Sequence, residues 1–336
     1  MRKNLIWLAL LVVATAIILS RRQHEAVFQT ESGRVFGTFF TVNYRHPVSL
    51  RSDIDSVLRL VDFSLSPFNE ASVISRINRN EPVVVDSLFL HVFRCSEQVS
   101  ELTDGAFDIT VAPLVNAYGF GFREARFPDA ADVDSLLQIT GYRHVSLDES
   151  TLTIRKDDPR IMLTCSAVAK GYAVDVVARQ LSQCGVTDYM VDIGGEVVVK
   201  GLNPDGQPWR IGVNKPIDDS LSVRQDLQTV LHVSDMAMAT SGNYRNFYYR
   251  GGRKYAHTVD PRTGLPVQHS LLSATVLAPD CMTADALATA FMVMGADDAL
   301  HLADSLSRIE AYLICDDGNG GLTTLMTEGM KQYIRE

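Results

Sequence analysis

The sequence predicts an α+β fold: a mostly antiparallel sheet with flanking helices. Three observations lead there. Strand-like and helix-like segments mix without strict strand–helix–strand alternation, which argues against a doubly wound parallel sheet. No Pro- or Ser-rich linker and no repeat interrupts residues 25–336, so one catalytic unit is expected over that span, after an N-terminal segment of residues 1–24. The glycine fingerprints of dinucleotide and P-loop folds, the H-E-x-x-H zinc motif and the G-x-S-x-G elbow are all absent.

The elements follow from local pattern. Val35–Tyr44 is β-branched and aromatic and reads as a strand. Asp53–Phe63 places Ile54, Val57, Leu58 and Val61 at helical spacing, and Pro67-Phe68-Asn69 signals a turn. Helices are expected at Ser72–Asn78, Ser87–Leu102 and Asp132–Leu137, with an irregular Gly-rich stretch at Thr103–Gly121. Val145–Leu147 and Leu152–Arg155 read as a hairpin, and Ser166–Cys184 as a helix ended by Gly185. Tyr189–Ile193 and Glu196–Lys200 are strands around Gly194-Gly195. Further strands are expected at Trp209–Val213, Val230–Val233, Ala237–Thr240, Tyr255–Val259 and Leu271–Ala278. Cys281–Val293 and Asp298–Ser305 read as helices, before strands at Glu310–Cys315 and Leu322–Met326.

Composition narrows the class. At 46% hydrophobic and 21% charged residues the chain is globular, neither disordered nor multi-spanning. Residues 4–20 carry no charge and are flanked by Arg2, Lys3, Arg21 and Arg22. That length suits a short membrane-spanning helix or a signal core. No good cleavage site follows, so an uncleaved anchor is expected ahead of a cleaved signal peptide, with the catalytic part facing the periplasm or cell exterior. The remaining chain has 27 basic and 40 acidic residues, a net −13, which excludes the basic face of a nucleic-acid binder. The five widely spaced cysteines form no CxxC, so buried free thiols are expected rather than a zinc site or a disulfide framework.

Five segments carry candidate chemistry. In Thr103–Gly121, Asp108 could accept from ligand hydroxyls or amides, or simply cap a loop. Thr164-Cys165-Ser166 is expected at a helix start, where free N–H groups favour an anion, with Lys170 one turn further in; a surface lysine is the plain alternative. The Gly194-Gly195 pair in Tyr189–Gly201 is read as a turn or bulge. Ala239–Pro266 collects Ser241, Asn243, Tyr244, Arg245, His257, Asp260 and Arg262, among which His257 could act as base or donor. Asp285 and Thr289, at i and i+4, present two hard oxygen ligands on one helical face, suited to Mg²⁺ or merely a polar stripe. Together these suggest a magnesium-assisted phosphate site, and Phe36, Phe68 and Tyr118 could stack on a flat ring.

The set FGTFFTV, SPFNEASVISRIN, DGAFDITVAPLVNAYGFG, SAVAKGYAVD, VDIGGEV, ATSGNYRNF, HTVDPRTGLP and ADALATA, in this order over residues 35–295, resembles the ApbE family of FAD:protein FMN transferases. The resemblance implies an ApbE-like α+β fold and transfer of FMN from FAD to a threonine hydroxyl of an acceptor protein, with a phosphodiester product and AMP released. It also implies acceptors among subunits of Rnf complexes or sodium-translocating NADH:quinone oxidoreductase. An FAD pyrophosphatase yielding FMN and AMP, and a flavin-binding protein without turnover, are the alternatives. Carried over by motif, the Mg²⁺ ligands would be the Ala167 carbonyl and the Asp285 and Thr289 side chains. Phe36, Phe68, Ala106, Phe107, Asp108, Thr164, Lys170 and Val259 would contact FAD, and His257 would be the base. The chain departs from the family pattern at Phe68, Phe36 and Thr164, where Tyr, Met and Asp are usual.

Overall fold

The computed structural model describes residues 27–122, 127–216, 226–243, 247–250 and 253–335. The expected anchor at residues 4–20, and Tyr244 and Arg245, lie outside the described residues. Among the described residues, no helix is long and apolar enough to cross a membrane.

One eight-stranded sheet organises the chain: β1 (Val27–Val35), β2 (Thr38–His46), β3 (Tyr189–Ile193), β4 (Glu196–Lys200), β5 (Met236–Gly242), β6 (Leu271–Ala278), β7 (Glu310–Asp316) and β8 (Leu322–Met326). The strands lie side by side in chain order, and every neighbouring pair is antiparallel. Six helices are inserted between β2 and β3: α1 (Arg51–Leu65), α2 (Val73–Asn78), α3 (Ser87–Leu102), α4 (Ala112–Ala117), α5 (Ala130–Leu137) and α6 (Ala169–Gln183). Two more, α7 (Cys281–Met294) and α8 (Ala296–Ser305), lie between β6 and β7. The expected antiparallel α+β class is therefore observed.

Strand side chains alternate between two faces, and both faces are covered. On β5, Ala237 and Ala239 enter the core shared with the helices, while Met236 and Met238 enter a second core behind the sheet. On β7, Ala311, Leu313 and Cys315 face the helices, and Tyr312 and Ile314 face the other way. The second core is closed by the hairpin Trp209–Asn214/Leu227–Val233 and by Met330. A strand buried on both faces reads as a continuous apolar run, which is why β5 and β6 show little alternation in sequence.

Helix α7 is apolar almost all round and runs through the middle of the helical layer, against β5, β6 and α6. Two acids fix its start. Asp280 caps it by accepting from Thr283 N, and Asp175 on α6 accepts from Cys281 N at 2.9 Å and Met282 N at 2.8 Å. This pins α7 to α6 one turn before Asp285.

Several boundaries differ from the sequence expectation. The strand expected at Val35–Tyr44 spans a hairpin: Phe36 and Gly37 have φ of 50° and 75° and turn β1 into β2. A phenylalanine with positive φ carries no turn signal, so the run of apolar residues hid the break. The helix expected from Ser166 starts at Ala169, because Ser166–Val168 form a turn whose Cys165 carbonyl accepts from Val168 N and Ala169 N. Tyr255–Val259 is not one strand; Arg253–Ala256 and Val259–Asp260 belong to separate hairpins. The stretch expected to be irregular, Thr103–Gly121, contains α4 and a short 3-10 helix at Ile109–Val111.

Candidate functional site

A cavity of about 440 Å³ opens between α7, the start of α6, the ends of β4 and β5, and the Thr103–Phe122 segment. Its size suits a small-molecule ligand. Phe68, Ala106, Phe107, Asp108, Thr164, Ala167, Lys170, His257, Val259, Asp285 and Thr289 all line it. Phe36 does not: it sits on the β1–β2 turn, packed against the main core.

Asp285 and Thr289 share one face of α7. Asp285 is buried, and its Oδ2 accepts from Gly171 N at 2.9 Å. Thr289 Oγ1 lies 3.1 Å from Ser241 Oγ at the end of β5. Carboxylate, hydroxyl and the nearby Ala167 carbonyl are hard oxygen donors and fit Mg²⁺. Among the described residues no group of three or more His, Cys, Asp and Glu could hold a metal. A cation bound here would therefore keep waters or ligand oxygens in its shell.

The start of α6 is only partly open to an anion. Ala169 N is taken by Cys165 O, and Gly171 N by Asp285. The positive charge comes from Lys170 instead, whose Nζ lies 2.5 Å from Glu196 Oε1. Burial opposes the ammonium, but the Asp285 and Glu196 carboxylates outweigh it and hold the Lys170 pKa above its ordinary value. Burial raises the Glu196 pKa, against the pull of Lys170.

Glu196 is the main residue that sequence reading missed. Gly194 and Gly195, with φ of 69° and 103°, make a two-residue hairpin turn that pairs Ile193 with Glu196. Ile193 points into the helix-side core, so Glu196 is delivered to the same side, facing α6. The detectable signal was an acid directly before the uninterrupted apolar run Val197–Val199.

Opposite this polar group stands an aromatic and loop-built wall. Asp108 is buried, with its pKa raised by burial, and its Oδ1 accepts from Thr110 N and Thr110 Oγ1, both at 2.7 Å. It thus caps the Ile109–Val111 turn. Phe68 is 76% exposed at the rim and meets Phe122 edge-on, with ring centroids 6.3 Å apart. His257 packs edge-on against Phe120, and Asp260 braces the following turn through Arg262 and Gly264. Leu114, Tyr118 and Val259 form a small cluster that ties this turn to α4.

Aromatic walls, a lysine paired with a buried glutamate and oxygen donors on a central helix mark the class: an enzyme for a small, anionic, partly aromatic ligand. The chain belongs to the ApbE family, whose model matches residues 36–313. It is 40% identical over 324 residues to an FAD:protein FMN transferase of Vibrio cholerae, covering 92% of this chain and 94% of that protein. It is 35% identical over 329 residues to one of Haemophilus influenzae, covering 94% of each. The fold matches the flavin transferase ApbE from Vibrio cholerae with a TM-score of 0.81 at 36% identity, covering 92% of this chain and 99% of that one. It also matches the apo flavinyl transferase ApbE of Pseudomonas stutzeri at 0.81 and 33% identity, covering 92% of this chain and 97% of that one.

Proposed function

We infer that this chain is an FAD:protein FMN transferase that moves FMN from FAD to a threonine hydroxyl of an acceptor protein. The observation that carries the reading is the convergence of Asp285, Thr289, Lys170 and His257 on one cavity with the Ala106–Asp108 loop. These residues come from segments far apart in sequence and are assembled by the sheet and α7.

The Ala167 carbonyl, Asp285 and Thr289 would hold Mg²⁺. When bound, the ion supplies charge neutralisation at the FAD pyrophosphate and eases the departure of AMP. The protein's own groups do the rest. Lys170 offers its ammonium to a phosphate oxygen. Phe68 offers flat apolar surface to the flavin ring, and Phe107 backs the wall from the core. His257 takes the proton of the acceptor hydroxyl as its oxygen bonds to the phosphorus nearer riboflavin. The anhydride bond breaks, AMP carries off the bridging oxygen, and FMN remains on the acceptor as a phosphodiester.

The apolar run at residues 4–20, flanked by arginines and a lysine, supports a membrane-anchored enzyme with its catalytic part outside the cytoplasmic membrane. That placement suits acceptors that are subunits of Rnf or sodium-translocating NADH:quinone oxidoreductase complexes. The test is to incubate the full chain with FAD, Mg²⁺ and such a subunit and to weigh the intact acceptor. A gain of one FMN is expected. Free FMN and AMP with an unmodified acceptor would mean hydrolysis, and intact FAD would mean binding alone.

A further inference from the structure

We propose that Glu196 is a positioning residue for the candidate cation site: by holding the Lys170 ammonium, it keeps the Asp285 carboxylate open to a divalent cation. The inference rests on the reading of Asp285 as a metal ligand given above.

Lys170 directly precedes Gly171, whose N–H grips Asp285. A flexible ammonium therefore starts beside the one carboxylate that a cation would need, and the two attract across a partly buried cavity. Yet Lys170 makes its ion pair with Glu196, at 2.5 Å, and among the described residues no ion pair joins it to Asp285. The Gly194-Gly195 turn brings Glu196 to this place.

The arrangement has little value for stability alone. Glu196 is buried, and its Oε2 has no hydrogen-bond partner among the described residues. A buried carboxylate oxygen without a donor is unfavourable, and an ion pair to a lysine that stays 32% exposed does not supply the missing donor. A fold that retains an incompletely satisfied acid at the wall of its cavity gains something else from it. Asp285 already attracts the Lys170 ammonium across the cavity, and without Glu196 to hold it in an ion pair, Lys170 would occupy the charge that a divalent ion uses.

The test is Mn²⁺ binding to the full chain without FAD, followed by loss of the free-ion electron paramagnetic resonance signal. Glu196→Gln, Lys170→Met and the double variant complete a cycle. Glu196→Gln is expected to weaken Mn²⁺ binding about tenfold, a coupling of the size seen between contacting charges. Lys170→Met should restore most of that loss in the Gln background while changing the wild type by no more than about twofold. Equal effects of Lys170→Met in both backgrounds would show that Glu196 acts only as a distant charge and would overturn the proposal. Glu196→Asp keeps the charge but shortens its reach, and serves if the Gln variant does not fold. Weakened binding by Asp supports positioning, and unchanged binding overturns it. No Mn²⁺ bound by the wild type would overturn the metal reading and this inference together.

Discussion

The backbone N–H of Gly171 donates to Asp285 Oδ2 at 2.9 Å, and it is the one hydrogen-bond donor to that carboxylate among the described residues. The contact requires a residue without a side chain. A Cβ at position 171 would stand 2.2 Å from Cys281 O and 2.7 Å from Asp285 Cβ. Gly171→Ala must therefore push α6 from α7 and release Asp285. A loss of about 1–3 kcal/mol is expected in urea denaturation, the usual range for overpacking, together with weaker Mn²⁺ binding. Stability and binding equal to wild type would show that the two helices are not locked together here.

Asp285→Asn keeps the shape of the side chain and an acceptor for Gly171 N–H but removes the charge. The expected outcome is a folded protein whose Mg²⁺-dependent FMN transfer is lost, as followed by acceptor mass. Transfer that persists at the wild-type rate and Mg²⁺ dependence would remove Asp285 from the ligand set.

His257 lies beside Phe120 at the cavity wall. His257→Gln should lower the transfer rate by about 10²–10⁴-fold, the range of a lost general base. FAD binding, read by flavin fluorescence, should change little. A proportionate loss of FAD affinity would instead assign His257 to ligand binding.

Burial governs the thiols. It pushes Cys95 and Cys165 up to about 12 and Cys281 well above its usual value, with the nearby Asp280 adding to the rise at Cys95 and Asp175 at Cys281. Cys315 is raised by burial as well. A thiol whose pKa is raised is protonated at pH 8 and gains reactivity only as pH climbs toward that value. Titration of the native protein with Ellman's reagent at pH 8 should find Cys184, the one cysteine that is not fully buried, reacting first. Rapid modification of several thiols without denaturant would contradict the packing described.

Much of the fold was legible because period and punctuation survive in the sequence. Ser87–Leu102 was recognisable from its helical spacing, and its N-cap, Asp86, accepts from Phe89 N. What failed was legible only in three dimensions. The β1–β2 turn uses Phe36 with positive φ, so no turn residue marked its first position. At the start of α6, the Gly171 N–H was taken by Asp285, which is 114 residues away in sequence. Glu196 looked like one more strand residue until the sheet placed it against Lys170. By contrast, the i, i+4 spacing of Asp285 and Thr289 was enough to place both on one helical face, because they lie on one regular helix, whereas their reading as metal ligands came from the family resemblance.

The central step is phosphoryl transfer from FAD to a protein hydroxyl. The most direct measurement is a paired count in a single reaction: FMN gained by the acceptor, from its intact mass, against AMP released. One AMP is expected for each FMN attached, with no adduct on an acceptor whose target threonine is alanine. AMP release that continues undiminished with that alanine acceptor, or without any acceptor, would contradict this.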